Sequence, residues 1–235
     1  LRYPGKESRG PVEWTEEFYD DLQNKVGGGK PKMHHVFGNN DSGFPSFSIP
    51  GESKRRPSPS SQEDKDFLVD TLQAWKSKKY ESMISGGEVP PRPGILKLMD
   101  SAKEAGLKVG VCSAATKSSV MTVIDALLGP ERVKALDVFL AGDDVKSKKP
   151  NPEIYETAAK KLGISPDSCC VVEDSSIGVA AAVGAGMRCV VTYTPSTASQ
   201  AFGDAERIVA DATALDVAEL REGGIVQDDR VEFKV

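Results

Sequence analysis

Two adjacent carboxylates are the residues of this sequence best suited to chemistry. Glu173 and Asp174 follow four apolar residues, 169–172, which the pattern predicts to form a buried parallel strand. A helix of small residues is predicted directly after them, at 179–185. Ligands of parallel α/β sheets bind beyond the carboxyl ends of the strands, where carboxylates hold hard cations and helix N-termini favour anions. The pair therefore predicts a site for a cation and an anionic ligand; the alternative is an Asp or Ser cap on an ordinary helix.

Polar residues also follow two other predicted strands. Ser113 and Ala114 come after residues 107–112, and Lys149 lies in a Lys-Lys-Pro-Asn-Pro run after residues 136–141. Parallel strands place these ends at one edge of the sheet, so the clusters can converge on one ligand. A hydroxyl and backbone N–H groups bind phosphate oxygens, and a lysine neutralises their charge. Taken alone, Ser113 is more typical of a helix cap and Lys149 of a solvated surface; together the clusters predict a phosphate site beside Mg²⁺.

Strands and helices alternate through the second part of the chain, which predicts an α/β fold with a mostly parallel sheet. The strands are predicted at 107–112, 136–141, 169–172, 188–192 and 208–210. A Pro-Pro-Arg-Pro-Gly run at 90–94 marks the boundary with the preceding part. We expect a helical domain over 1–86, a core over 87–221, and a tail over 222–235 that carries no clear signal.

The first third of the sequence is predicted to be helical and polar. Helices are expected at 30–37 and 63–84, and residues 39–62, rich in Ser, Pro and Gly, are expected to form a mobile surface loop. The apolar residues of the longer helix are expected on its buried side: Phe67, Leu68, Leu72, Trp75 and Tyr80.

Composition excludes several classes of protein. The 235 residues carry a net charge of −5, so there is no basic surface for nucleic acid. No apolar run reaches the roughly 18–20 residues of a membrane span. The four cysteines lie in or beside predicted strands, which favours small buried residues over a disulfide framework. The sequence has only two histidines, adjacent on a polar stretch, which argues against a zinc site.

The three polar clusters resemble motifs II, III and IV of the haloacid dehalogenase superfamily. These are Val-Cys-Ser-Ala at 111–114, Lys-Lys-Pro-Asn-Pro-Glu-Ile-Tyr at 148–155 and Val-Val-Glu-Asp-Ser-Ser-Ile-Gly at 171–178. Residues 18–33 and 92–94 resemble the CbbY-type branch, and residues 111–119 and 140–145 its plant and algal plastid members. The resemblance covers roughly residues 12–194.

The resemblance implies a Rossmann-like core with an α-helical cap and Mg²⁺-dependent phosphoryl transfer on small phosphate esters, often sugar phosphates. Carried over by position, Ser113 and Ala114 would bind the phosphate and Lys149 would neutralise it. Asp174 and Glu173 would bind Mg²⁺. A phosphosugar mutase is the alternative enzyme, because both reactions share a phosphoenzyme.

Two cations are implied to face the substrate from the cap side, Lys30 and Arg92, and would suit a sugar bisphosphate. The alternative for Lys30 and the glycines before it is a helix end and a turn; for Arg92 it is an ordinary surface ion pair. The resemblance also implies a location in the plastid stroma. We expect a monomer whose partner is a small phosphorylated substrate, without nucleic acid or membrane.

One motif of the superfamily is missing, a strand that ends in Asp-x-Asp-Gly and supplies the nucleophile and the general acid/base. The superficial substitutes at 20–21, 41–43 and 143–144 do not follow an N-terminal apolar strand. In the family this strand is central, so its absence should leave its neighbours unpaired and a groove in the core. We favour a chain truncated upstream of the cap, since Leu1 is not a normal start, over a non-catalytic phosphosugar-binding relative. The 235-residue chain should not turn over phosphate esters.

Overall fold

The computed structural model describes residues 15, 18, 21, 22, 26, 29–39, 44, 46–48 and 53–222. The predicted tail beyond residue 222, much of the predicted loop 39–62 and the acidic positions 20 and 41–43 lie outside these residues. The chain divides into two compact units, residues 1–80 and 81–235. The predicted domain boundary at residue 86 stays a prediction.

The first unit is mainly helical in its described part, which also contains an antiparallel bridge between Phe47 and Arg56. Helix α1 spans Gly29–Asn39 and α2 spans Gln62–Ser85, whose last residues belong to the second unit. Ser61 begins α2 as a capping residue: its Oγ accepts a hydrogen bond from the backbone N–H of Asp64 at 3.1 Å and donates one to the Asp64 carboxylate at 2.7 Å. The buried apolar residues of this unit form one cluster: Leu22, Met33, Val36, Phe37, Phe44, Leu68 and Val69.

The buried face of α2 differs from the predicted one. Phe67, Trp75 and Tyr80 expose 43%, 46% and 48% of their surface, whereas Leu68 exposes 1%. Successive helical residues point about 100° apart, so α2 cannot bury Phe67 together with both Leu68 and Val69. Phe67 instead lies beside the ring of Phe47, with 6.4 Å between the ring centroids.

The second unit contains the alternating strands and helices that the sequence predicts. In chain order they are α3 (Ile95–Glu104), β1 (Gly110–Cys112), α4 (Lys117–Leu128), α5 (Pro130–Lys134), β2 (Val138–Leu140), α6 (Glu153–Leu162), β3 (Cys170–Glu173), α7 (Ser176–Gly184), β4 (Arg188–Thr192), β5 (Arg207–Val209) and α8 (Val217–Glu222). All strand pairs are parallel, and the short helices α5 and α8 are additions to the prediction. Among the described residues, no helix is both long and apolar enough to cross a membrane.

The strands form two sheets instead of the single predicted one. Strand β1 pairs with β2, and β3, β4 and β5 pair in that order. Within the described part of the chain, the second edge of β1 and that of β3 have no strand partner. Both strands line a cavity of about 960 Å³. The groove expected from the missing motif is therefore present, between the two strands that precede motifs II and IV.

The core packs behind the strands. α6 and α7 supply Ile154, Tyr155, Ala181 and Ala182 to a buried cluster that also contains Leu140, Cys189, Val191 and Phe202. The small side chains of α7 let this helix approach the sheet closely, which fixes its N-terminus directly after the carboxyl end of β3.

Candidate active site

The carboxyl ends of the strands meet at one edge, as predicted. The backbone N–H of Ser113, which follows β1, donates to the carbonyl of Leu140 at the end of β2 with 3.0 Å between N and O. Lys149 joins β1 to β3: its Nζ lies 3.1 Å from the Cys112 carbonyl and 2.5 Å from the Glu173 carboxylate. Three of the predicted site residues, Ser113, Lys149 and Glu173, are thereby placed at one end of the unit.

The Lys149 ammonium is buried and fully hydrogen-bonded. The side chains of Lys149 and Glu173 expose only 7% and 8% of their surface. The third acceptor of Lys149 is the Tyr155 hydroxyl, at 2.7 Å. An ammonium has three N–H donors, and all three have acceptors. A ligand that binds Lys149 must therefore replace one of these acceptors, and the Cys112 carbonyl makes the longest contact.

Glu173 accepts hydrogen bonds on both carboxylate oxygens. Oε1 accepts from Lys149 and from the Tyr155 hydroxyl at 2.6 Å, while Oε2 accepts from the Asp174 backbone N–H at 3.1 Å and the Ser175 hydroxyl at 3.2 Å. Burial alone would raise the pKa of Glu173. The charge and hydrogen bond of Lys149, with the Tyr155 hydroxyl, hold that pKa below its ordinary value. Glu173 is therefore an anion that keeps Lys149 in place.

Gly178 makes room for this carboxylate. A Cβ atom at Gly178 would lie 2.0 Å from the Glu173 carboxylate carbon, far inside van der Waals contact. The Gly178 backbone N–H also donates to the hydroxyl of Ser175, which caps α7. The Ser cap of α7, which was predicted as the alternative to a ligand site, is therefore present, and the carboxylate cluster lies beside it.

Asp174 differs from its neighbour. Half of its side-chain surface is exposed, and its nearest cation is Arg92, with 3.9 Å from Nη1 to Oδ2. Burial of the carboxylate and the charge of Glu173 raise the pKa of Asp174, and Arg92 opposes that shift. Asp174 is the member of the acidic pair whose carboxylate is open to a ligand.

The loop after β1 is tightly built. The Ser113 Oγ accepts from the Ala115 N–H at 3.2 Å, so its own O–H remains a potential donor. Gly142 packs against this loop; a Cβ there would lie 2.4 Å from the Ala114 carbonyl oxygen. Of the superficial acidic substitutes, Asp143 accepts the Lys117 backbone N–H and Asp144 pairs with the Lys117 ammonium. Both acids hold the loop, which does not suit a nucleophile.

The two cations predicted for the substrate have local partners. Arg92 donates through Nη2 to the carbonyls of Thr192 and Tyr193, both at 2.8 Å. Lys30 lies in α1 of the other unit, where it pairs with Asp70 at 2.8 Å. The contacts of Arg92 extend beyond the surface ion pair that was its alternative, since they tie the chain before α3 to the end of β4. That both cations face one substrate stays a prediction.

Tyr155 is not among the site residues predicted from the sequence. It occurs there only as the last residue of motif III, although a tyrosine on the buried side of an amphipathic helix needs a hydrogen-bond partner. Its position six residues after Lys149, across the turn that begins α6, was the available signal.

Comparison with known proteins identifies the family of this chain. The haloacid dehalogenase-like hydrolase family matches residues 52–186. A haloacid dehalogenase-like hydrolase domain-containing protein of Arabidopsis thaliana is 51% identical over 209 residues, 89% of this chain and 64% of that protein. A CBBY-like protein of Arabidopsis thaliana is 40% identical over 197 residues, 84% of this chain and 57% of its own length. The chain thus spans less than two thirds of either curated relative.

A solved structure is similar over most of the chain. A mutant of CbbY from Rhodobacter sphaeroides, in complex with xylulose-(1,5)bisphosphate, has a TM-score of 0.67 and 28% identity, covering 89% of this chain and 84% of that one. The likeness confirms the predicted fold class, α/β with a Rossmann-like core and a helical cap, and the predicted CbbY-type branch.

Proposed function

This chain belongs to the haloacid dehalogenase-like hydrolase family, and we propose that the full-length protein is a Mg²⁺-dependent phosphatase that acts on a small sugar phosphate through an aspartyl-phosphate. The observation that supports this most directly is the buried Lys149 ammonium at the ends of β1 and β3, beside the open carboxylate of Asp174. A cation fixed in a dry site stabilises the charge that develops on a transferring phosphoryl group.

The residues after β1 and β2 would bind the phosphate. The Ser113 hydroxyl and the Ala114 backbone N–H lie at the same edge as Lys149 and can donate to phosphate oxygens. Lys149 would exchange the Cys112 carbonyl for one of these oxygens. The close contact of Gly142 with the loop would help to keep the donors in place before the ligand arrives.

The acidic pair fits a magnesium ion in its donor chemistry. Mg²⁺ is held through one or two carboxylates and keeps several waters. Among the described residues no three His, Cys, Asp or Glu side chains gather into a metal site, so the ion would rest on Asp174, with Glu173 behind it as a second negative charge. When bound, the ion would neutralise phosphate charge.

We propose that a strand carrying the nucleophilic Asp occupies the cavity between β1 and β3. The sequence contains no Asp-x-Asp-Gly segment. Each flanking strand has an edge without a strand partner in the described structure, and together they line about 960 Å³. The 235-residue chain is therefore expected to bind phosphate without turnover, and the full-length protein is expected to hydrolyse a phosphate ester.

The substrate is proposed to be a phosphorylated sugar, with a bisphosphate as the first candidate. The support is the likeness to CbbY in complex with xylulose-(1,5)bisphosphate and the presence of Lys30 and Arg92. The likeness to plant relatives also motivates a plastid location, testable by following a fluorescent fusion of the full-length protein in leaf cells.

The experiment compares two aspartates in the full-length protein. Asp174→Ala should lower kcat/KM for a sugar phosphate by about 10²-fold or more and weaken Mg²⁺ binding. Asp125→Ala, on the exposed face of α4, should change neither. Full activity of Asp174→Ala would refute the site. Released phosphate would indicate a phosphatase, and isomerised sugar would indicate a mutase. Saturable binding with neither product would indicate a phosphosugar-binding protein.

A further inference from the structure

Tyr155 is a buried residue whose polar atom lies in the candidate active site. It belongs to α6, exposes 5% of its surface and packs within the same cluster as Ile154, Ala158 and Ala159. Its ring therefore has an ordinary place in the core. The hydroxyl, however, reaches the carboxyl end of β3 and contacts two charged groups there.

The direction of both hydrogen bonds follows from chemistry. The Lys149 ammonium can only donate, so the Tyr155 oxygen accepts from it at 2.7 Å. The Glu173 carboxylate can only accept when ionised, so the phenol proton points to Oε1 at 2.6 Å. Lys149 also donates directly to that oxygen. The three groups form a closed triangle, which fixes the ammonium more firmly than one ion pair would.

We infer that Tyr155 is a positioning residue, whose hydroxyl holds the Lys149 ammonium and the Glu173 carboxylate in the arrangement that presents Lys149 to a phosphate. A lysine side chain has a flexible four-carbon stem, so a single partner leaves its ammonium free to turn. The Tyr155 ring centroid lies 4.5 Å from Nζ and would remain in a Phe variant. The hydroxyl is thus the separable part of the contact.

The consequence appears when a ligand binds. Lys149 must direct one N–H to the phosphate, and the Cys112 carbonyl is the acceptor that it can exchange. Tyr155 and Glu173 then continue to accept hydrogen bonds from the other two N–H groups, so the third N–H points toward the phosphate. Without the hydroxyl, the ammonium keeps one fixed partner and its direction is lost. This inference rests on the proposed role of Lys149 in phosphate binding.

The test removes the hydroxyl alone, in full-length Tyr155→Phe. The matched control is Tyr80→Phe, whose half-exposed side chain lies in the other unit. We expect kcat for a phosphate ester to fall about tenfold and KM to change less than about twofold, since a misdirected ammonium affects the transition state most. The control should match the wild type. An unchanged kcat in Tyr155→Phe, or an equal fall in the control, would overturn the inference.

A double-mutant cycle separates positioning from packing. In a Lys149→Met background, Tyr155→Phe should have no further effect on the residual kcat for the phosphate ester, because it acts through the ammonium. The same loss in both backgrounds would show a structural role and refute the inference.

A spectroscopic measurement tests the arrangement without relying on activity or on Lys149→Met. A buried, hydrogen-bonded ammonium exchanges its protons slowly with water and gives its own proton–nitrogen NMR signal. We expect that signal of Lys149 in the wild type and in Tyr80→Phe, and its broadening or loss in Tyr155→Phe. An unchanged signal would refute the inference even if the protein binds phosphate. Conversely, a wild type that shows the signal but binds no phosphate would refute the proposed function and leave the positioning by Tyr155 supported.

Discussion

Strands β3 and β4 are neighbours with similar apolar sequences, yet they differ in burial. Val172 of β3 exposes 36% of its surface, whereas Val190, its partner in register on β4, exposes 1%. Strand β4 has a neighbour on each side, while β3 has, among the described residues, only β4. Apolar residues on both faces are typical of an inner strand of a parallel sheet. The sequence of β3 is therefore that of an inner strand, although it lies at an edge here.

At its carboxyl end, β3 is no longer exposed. Glu173 is buried and accepts four hydrogen bonds, so β3 is exposed at Val172 but buried at the residue that belongs to the site. Lys149 contributes to this burial, because it bonds β1 and β3 at their ends. Substitutions can therefore disturb the site and the cavity separately. The substitutions with the largest expected effect come first.

Breaking the buried ion pair should have the largest effect. Lys149→Met leaves the Glu173 charge buried without its partner, which we expect to lower the free energy of unfolding by about 3–5 kcal/mol. Lys30→Met, which removes the partner of Asp70 in an exposed pair, should cost less than about 1 kcal/mol. Urea denaturation at neutral pH measures both. Adding Glu173→Gln to Lys149→Met should recover part of the lost stability. A smaller loss for Lys149→Met than for Lys30→Met would contradict the burial of the ion pair at the end of β3.

Two valines test the open length of the strand. Val191→Ala, on β4 and fully buried, should lower the free energy of unfolding by about 2–3 kcal/mol through lost burial and a residual cavity. Val172→Ala on β3 should cost less than about 1 kcal/mol in the 235-residue chain, because its side chain is already partly exposed. If a further strand fills the cavity, the two losses should become similar. Equal losses already in the shorter chain would contradict the comparison.

Two glycines of α7 test the space behind Glu173. Gly178→Ala should cost about 1–3 kcal/mol, because the new Cβ would displace a carboxylate held by four hydrogen bonds. Gly184→Ala should be neutral or stabilise the protein by up to about 1 kcal/mol, since its Cβ would contact Pro152 at an ordinary 3.6 Å and alanine favours helix. Thermal unfolding compares them. If Gly178→Ala is as stable as Gly184→Ala, the Glu173 carboxylate can move freely.

The sequence predicted the order of strands and helices and the convergence of Ser113, Lys149 and Glu173, because apolar runs and the rule for parallel strand ends are local signals. It could not predict the separation into two sheets from periodicity; the missing motif indicated that separation. It placed Phe67, Trp75 and Tyr80 on the buried side of α2, because apolar type alone does not tell which of several adjacent residues faces the core. Tyr155 was missed because its role depends on a contact 18 residues away in the chain.

The smallest effect on stability is expected from the difference in pKa between the adjacent carboxyl groups of Glu173 and Asp174. The pKa of Glu173 is held low by Lys149, whereas burial and the charge of Glu173 raise that of Asp174. A raised folded-state pKa means that the ionised form destabilises the fold at neutral pH, and that this cost disappears as the pH falls through that pKa. Without metal, Asp174→Asn should therefore stabilise the protein near neutral pH, by less than about 1 kcal/mol since the side chain is half exposed. The gain should vanish below about pH 3, as urea denaturation at both pH values would measure.

With Mg²⁺ present, the wild type should become more stable than Asp174→Asn. An ion that binds only the folded state raises its stability, so Mg²⁺ should stabilise the wild type and have little effect on Asp174→Asn. The Asp125→Asn variant, with its carboxylate on the exposed face of α4, serves as the control and should respond as the wild type does. Equal stabilisation of all three proteins would remove Asp174 from the metal site. A response lost only in Asp174→Asn would mean that, of the acidic pair at the end of β3, the open member meets the ion while Glu173 stays with Lys149.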